Sequence, residues 1–178
     1  MNLHVDINKR HAERKEFTPE SLAKVNELML DVPEGKHKSA VLRVLHMAQD
    51  ELGGWLSIET MDYVAELLNI QPIEVYEVAT FYTMFHLDQT GKYVLEVCRT
   101  GPCMLVGSDQ IIEYIENKLN IKVGQTTADG MFTLKTVECM GACGYGPMLQ
   151  CQYKNHEFLT PEKVDELIEG YRSGTFEK

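Results

Sequence analysis

In the stretch Tyr93-Val94-Leu95-Glu96-Val97-Cys98-Arg99-Thr100-Gly101-Pro102-Cys103, a short strand runs straight into a pair of cysteines. Four of its first five residues, all but Glu96, are apolar and partly β-branched, which suits a pleated, buried surface. A second run, Phe132-Thr133-Leu134-Lys135-Thr136-Val137, reads the same way. It is bounded by Asp129-Gly130 before it and by the glycine-rich loop Cys139-Met140-Gly141-Ala142-Cys143 after it. Between the two strands, Ser108 or Asp109 can cap a helix whose face is Ile111, Ile112, Ile115 and Leu119. Residues 148–153 read as a further strand. Thr160-Pro161-Glu162 is a helix start, and Val164, Leu167, Ile168 and Tyr171 continue it as an i, i+3, i+4, i+7 stripe. Strand, helix, strand, strand, helix in that order describes one small sheet covered by helices.

The chain upstream of this module reads as helices. Thr18-Pro19-Glu20 combines a capping hydroxyl, proline at the first helical position and an acid at the positive end of the dipole. Leu22, Val25 and Met29 then share a face. Val41, Leu45, Ala48 and Leu52 mark a second helix, stopped by Gly53-Gly54. Ser57 caps a third, with Ile58, Met61, Ala65 and Leu68 aligned. A fourth begins at Pro72 and is expected to run to about Phe85. From Val75 it is apolar on nearly every side, so it must be covered within its own domain or by a partner. The polar stretch Asp88-Gln89-Thr90-Gly91 separates a helical domain, residues 1–90, from the cysteine-bearing domain, residues 91–178.

With 178 residues, 44% of them hydrophobic and 25% charged, the chain has the mix of a globular protein with a substantial core. A net charge of −10 argues against nucleic acid or an anionic membrane as the partner and leaves proteins as the expected ones. The apolar uncharged stretch at residues 78–87 is too short to cross a bilayer, so no direct membrane insertion is expected. Residues 1–15 show no apolar signal-peptide core, and Asp6 and Glu13 argue against a transit peptide. The six histidines, His4, His11, His37, His46, His86 and His156, form no H-E-x-x-H and are read as surface or locally bonded side chains. The acids between Glu162 and Glu169 lie on a helix whose other face is apolar, and read as a solvated face.

All five cysteines fall in the second half. Without a secretory signal, clustered cysteines indicate metal or redox chemistry rather than a disulfide framework. Cys98 and Cys103 form a C-x4-C, and Cys139 and Cys143 a C-x3-C, each following a strand. Two such loops from neighbouring strands can present four thiolates. Gly101, Gly141, Gly144 and Gly146 leave room for backbone N–H groups to approach sulfur. A thiol–disulfide oxidoreductase needs a C-x-x-C, which is absent, and a [4Fe–4S] site usually shows a compact C-x2-C-x2-C run, also absent. Structural zinc, a [2Fe–2S] cluster and uncoupled core cysteines stay open on spacing alone. Colour separates the first two, since a [2Fe–2S] protein is red-brown and zinc is colourless. Cys151 sits within a strand, has no close cysteine partner, and reads as a small buried apolar residue.

Five separated blocks carry a resemblance. They are Gly54-Trp55-Leu56-Ser57, the run from Val75-Tyr76-Glu77-Val78-Ala79-Thr80 through Phe81-Tyr82-Thr83-Met84-Phe85, Cys98-x4-Cys103-Met104-Leu105, the stretch Asn120-Ile121-Lys122-Val123-Gly124-Gln125-Thr126-Thr127, and Cys139-Met140-Gly141-Ala142-Cys143 with Gly146-Pro147. In these the chain resembles the thioredoxin-like [2Fe–2S] subunit of NADH:quinone oxidoreductase, respiratory complex I, known in bacterial naming as the E subunit. The likeness extends over roughly residues 19–171.

The resemblance implies an α+β protein with an N-terminal helical bundle followed by a thioredoxin-like α/β ferredoxin domain. It implies one [2Fe–2S] cluster on Cys98, Cys103, Cys139 and Cys143, and a flavoprotein partner subunit that binds NADH and FMN. The same module serves NAD-linked hydrogenases and formate dehydrogenases, and a zinc-stabilised adaptor is the non-redox alternative. This chain carries neither G-x-G-x-x-G after a strand nor a G-x-x-x-x-G-K-[ST], so hydride chemistry is expected on the partner. No residue of this chain is expected to be catalytic. A subunit of complex I would be cytoplasmic, in the peripheral arm on the cytoplasmic side of the inner membrane.

Overall fold

The computed structural model describes residues 10–176. His4 and Asp6, named above, lie outside them. The chain divides into two compact units, the first ending at Gln89 and the second beginning at Thr90.

The first unit holds four helices, α1 (Pro19–Leu30), α2 (Val41–Leu52), α3 (Ile58–Leu68) and α4 (Pro72–Phe81). Their ends follow local chemistry. Thr18 caps α1 by accepting from the Ser21 N–H, and Ser57 caps α3 by accepting from the Thr60 N–H at 3.1 Å. Gly53, at φ 139°, ends α2. Gln71 and Glu74 form a reciprocal capping box at α4. Val44, Leu45, Ala48, Leu56, Val64, Leu68 and Val75 make the fully buried centre.

Helix α4 ends at Phe81, four residues short of the expected Phe85. The buried side chain of Gln49 explains this. Its Nε2 donates to the Met84 carbonyl at 3.1 Å, and its Oε1 accepts from the His86 N–H at 2.7 Å. The Leu56 N–H takes the His86 carbonyl at 2.7 Å. These tertiary bonds claim backbone groups that a continuing helix would need. Nor is the apolar run wholly covered. Val75, Ala79 and Phe85 are buried, while Ile73 and Phe81 are 61% and 76% exposed.

An extended segment before α1 is strapped along α3, a feature with no periodic signal in the sequence. His11 Nδ1 lies 2.6 Å from Glu59 Oε1, and the Ala12 N–H donates to Glu59 Oε2 at 2.9 Å. One turn on, the Phe17 N–H donates to Tyr63 Oη, and Arg14 forms a two-pronged pair with Glu66 at 3.1 and 2.8 Å. Glu59, Tyr63 and Glu66 are spaced i, i+4, i+7, so one face of α3 holds the whole strap.

The second unit contains β1 (Tyr93–Cys98), α5 (Gly101–Leu105), α6 (Ser108–Leu119), β2 (Phe132–Val137), β3 (Leu149–Cys151), β4 (Lys154–His156) and α7 (Pro161–Arg172). The sheet order is β2-β1-β3-β4. β1 and β2 run parallel, and the other pairs are antiparallel. In register, Tyr93 faces Phe132, Leu95 faces Leu134 and Val97 faces Leu149. This set packs under Ile111 and Ile115 of α6 and Val164, Ile168 and Tyr171 of α7. The two helices are tied together at Asp165, which accepts from Tyr114 Oη at 2.8 Å and lies 3.1 Å from Lys118 Nζ. The acidic face of α7 is thus partly engaged rather than wholly solvated.

Two sequence readings change here. The strand expected over residues 148–153 is a hairpin, because Gln152 and Tyr153 both take positive φ and turn β3 back into β4. Neither residue is the glycine, asparagine or aspartate that usually marks such a turn. Neither Ser108 nor Asp109 caps α6. The N-cap is Gly107 in a left-handed conformation, and Ser108 is buried inside the first turn with its hydroxyl unpartnered among the described residues.

The strap generates a test in acid. Partial burial pushes the Glu59 carboxyl up, yet the Ala12 N–H and His11 overcome this and hold it at about 2. A carboxyl depressed in the folded state stabilises above its unfolded pKa, and that contribution fades as pH falls from about 4.5 towards 2. Glu59→Gln is expected to lower stability by about 1–2 kcal/mol at pH 7, after discounting for partial exposure. The gap from wild type should close across that acid window, as read by chemical unfolding at a series of pH values.

Candidate iron–sulfur centre

The cysteine site follows from strand register. Cys98 is the last residue of β1 and lies opposite Val137, the last residue of β2. Because the two strands are parallel, both cysteine loops leave from the same end of the sheet. The first loop bends at Gly101-Pro102 into the short helix α5, which turns Cys103 inward. The second passes Cys139 and Gly141 and enters a 3₁₀ turn at Cys143–Tyr145. A cis peptide joins Gly146 and Pro147 on the way to β3.

All four cysteines of the two pairs meet here. Cys98 and Cys103 are buried with Met148, against Met140 and Ala142. Cys139 and Cys143 are exposed, with their Sγ atoms 3.4 Å apart. Cys98 and Cys103 likewise share a hydrogen bond. The pairs also sense each other, since charge on Cys143 acts on Cys103 and charge on Cys98 acts on Cys139. Among the described residues no three His, Cys, Asp or Glu side chains gather around one ion position. The thiols are instead two pairs side by side. Cys151 lies apart, buried in β3 among the residues packed under α6 and α7.

Within each pair the two sulfurs differ. Burial pushes the Cys98 thiol up, but the Thr100 hydroxyl and N–H, Cys103 and the Met140 N–H outweigh it and leave it below the usual thiol range. Cys139 is held low by the Gly141 N–H and by Cys143. Their partners move the other way. Cys103 rises to about 11, from burial and from sharing its proton with Cys98, and Cys143 rises beside Cys139. Burial, helped by the charge of Glu96, takes Cys151 to about 12 against the opposing hydrogen bond of Tyr171.

Of the four glycines expected to admit N–H groups to sulfur, two have a visible reason to be glycine. Gly141 takes φ 80°, which favours glycine, and its N–H donates to Cys139 Sγ, 3.4 Å away. A Cβ on Gly146 would lie 3.0 Å from Val106 Cγ2 and 3.3 Å from Cys103 Sγ. A Cβ on Gly101 or Gly144 would meet nothing within 4 Å. The sequence reading missed Thr100, which lies inside the C-x4-C and whose hydroxyl is 3.3 Å from Cys98 Sγ. It also missed the N–H groups of Met140 and Met148, which approach Cys98 and Cys103. A hydroxyl within a cysteine loop was the one signal available. Backbone donors carry none.

The described histidines for which a partner is visible are engaged locally. His11 pairs with Glu59, His37 Nδ1 lies 3.0 Å from the Leu68 carbonyl, the His46 ring lies tilted against Phe85, and His156 Nε2 meets Tyr171 Oη at 2.9 Å.

A parallel strand pair that delivers two thiol pairs to one sheet end suits a small iron–sulfur electron carrier. Residues 25–172 match the thioredoxin-like [2Fe-2S] ferredoxins, and the chain belongs to that family. Its cofactor is a [2Fe–2S] cluster. The chain is 43% identical to the E subunit of NADH-quinone oxidoreductase from Rickettsia felis, over 87% of this chain and 93% of that one. It is 48% identical to the protein of the same name from Rickettsia prowazekii, over 78% of each chain. It is 40% identical to the mitochondrial NADH dehydrogenase [ubiquinone] flavoprotein 2 of Dictyostelium discoideum, over 92% of this chain and 70% of that one. The fold is shared with an NAD+-reducing [NiFe]-hydrogenase in its air-oxidised state, at a TM-score of 0.65 and 20% identity. That match covers 76% of this chain and 23% of the hydrogenase chain.

The donor set fits the cluster. Two irons joined by sulfide ask for two thiolates each, and the centre offers two adjacent pairs with N–H and O–H groups already turned to sulfur.

The unequal thiols make a prediction for the chain stripped of iron. Cys139 is exposed and held low, so iodoacetamide at neutral pH should alkylate it first, severalfold faster than Cys143. Cys151, buried and raised, should react only on unfolding. Timed alkylation read by peptide mass spectrometry gives the order.

Proposed function

We propose that this chain is the electron-transfer subunit of an NADH:quinone oxidoreductase, with Cys98, Cys103, Cys139 and Cys143 as the ligands of its cluster. The observation that carries the reading is the meeting of two thiol pairs at one sheet end, in a chain 43% identical over most of its length to an NADH-quinone oxidoreductase component. When bound, the cluster takes up and releases single electrons. The polypeptide holds it by four thiolates. Two of these, Cys98 and Cys103, lie in a water-excluding pocket with Met148. N–H groups of Gly141, Met140 and Met148 are aimed at sulfur and offset the charge of four thiolates.

The electron donor is a flavoprotein subunit of the same complex, where NADH reduces FMN. The helical unit, residues 1–90, docks that partner. Support for this lies in the part of α4 that the fold leaves bare, Ile73 and Phe81, with Tyr82 and Met84 also exposed beyond it. No described helix is long and apolar enough to cross a membrane. The chain belongs in a peripheral arm of the complex, on the cytoplasmic side.

Replacing any one of Cys98, Cys103, Cys139 or Cys143 by Ser exchanges a soft ligand for a hard one and is expected to remove most of the bound iron. Cys151→Ser should keep it. Iron and acid-labile sulfide assays on the five variants check the assignment, and iron loss confined to Cys151→Ser contradicts it.

The role is tested on the cluster-loaded chain. NADH alone should leave its visible absorption unchanged, and NADH with the flavoprotein partner should bleach it. Phe81→Ser should slow that bleaching about tenfold while reduction by dithionite keeps its rate. Bleaching by NADH without the flavoprotein would contradict the role.

A further inference from the structure

Thr100 occupies the N-cap position of α5 with extended φ and ψ, yet its side chain makes no capping bond to the helix. A threonine there usually gives its oxygen to a backbone N–H. Here the hydroxyl is turned away from the helix, 3.3 Å from Cys98 Sγ. It is also a hydrogen-bonding partner of Cys139, in the other thiol pair. One hydroxyl therefore stands where the two pairs meet, touching a sulfur of each.

We propose that Thr100 is a positioning residue that sets the reduction potential of the cluster, by donating its hydroxyl proton to thiolate sulfur at the junction of the two cysteine pairs. The inference rests on the ligand assignment above. A thiolate bound to iron has no proton to give, so in the loaded protein the hydroxyl must be the donor. Reduction adds one electron and raises the negative charge on the sulfurs. An O–H···S bond strengthens as that charge grows, which favours the reduced state. No covalent bond is made or broken, and the proton stays on Thr100 Oγ1. Removing the hydroxyl lowers the potential without removing a ligand.

The test uses the full-length, cluster-loaded chain with Thr100→Val, Thr100→Ala and Thr100→Ser. Iron content and visible absorption establish loading, and so report on the ligand assignment separately from the potential. Redox titration followed by electron paramagnetic resonance then reads the midpoint. With Val or Ala, the reduced-to-oxidised ratio at the wild-type midpoint should fall about tenfold, which for one electron is ~59 mV. Ser restores the hydroxyl and should restore the wild-type midpoint. Pulsed resonance after exchange into deuterated water should lose one strongly coupled exchangeable proton in the Val and Ala variants and keep it in Ser. An unchanged midpoint in loaded Val and Ala variants overturns the proposal, as does a Ser variant as low as Val. Loss of iron from Val and Ala alone would overturn it too, by making the hydroxyl a requirement of assembly rather than of potential. Loss from all three would exclude a tuning role, because a residue that only tunes tolerates serine.

Discussion

The centre depends on the parallel pairing of β1 with β2. That pairing sets Cys98 against Val137, and everything after the two strands inherits the alignment. The register is in turn held by the core. Tyr93, Leu95, Phe132 and Leu134 are fully buried on one face, beneath α6 and α7. A one-residue slip would turn each slipped strand's large side chains to the opposite face, at about 1.5–3 kcal/mol for each large apolar group exposed. Hydrophobic packing on one side of the sheet thereby fixes where the sulfurs lie at its end.

Around the sulfurs, most of the fine adjustment comes from the backbone. Gly141 points its N–H at Cys139 and then takes a left-handed conformation that turns the chain on towards Cys143. At Gly146 a Cβ would press closely on Val106 and on the Cys103 sulfur. The result is an asymmetric pair of thiols twice over, one sulfur held low and one raised in each. One thiol of each pair therefore gives up its proton more easily than an ordinary cysteine, which favours metal binding. In the helical unit a single buried side chain plays a comparable part. Gln49 spends both ends of its amide on the backbone of Met84 and His86 and ends α4, leaving Phe81 bare just before the turn.

Much of this was legible in one sequence. The two cysteine spacings, each after a strand, pointed to four thiolates on neighbouring loops, and Cys151 was set aside by its position within a strand. Helices α6 and α7 were visible from spacing because each is apolar along one stripe. The misses have particular causes. The β3–β4 turn uses Gln152 and Tyr153, residues that give no turn signal, and is imposed by the pairing of Leu149 with His156. Helix α4 looked four residues too long because nothing local stops it. Ser108 looked like a cap, but Gly107 takes that place and Ser108 is drawn into the protein interior.

The sequence by itself determined the chemistry. It named the four thiols, placed them in two short loops, and supplied glycines where the backbone must bend to sulfur. Those properties are local, decided by residue type and spacing over a few positions. Tertiary structure decided the rest, because it depends on partners distant along the chain. Cys98 and Cys139 are brought together by strand pairing across a helix, not by sequence proximity. The Thr100 hydroxyl serves sulfur rather than its own helix because the fold sets both thiol pairs beside it. The strap on Glu59, Tyr63 and Glu66 exists only once α3 presents those three side chains on one face.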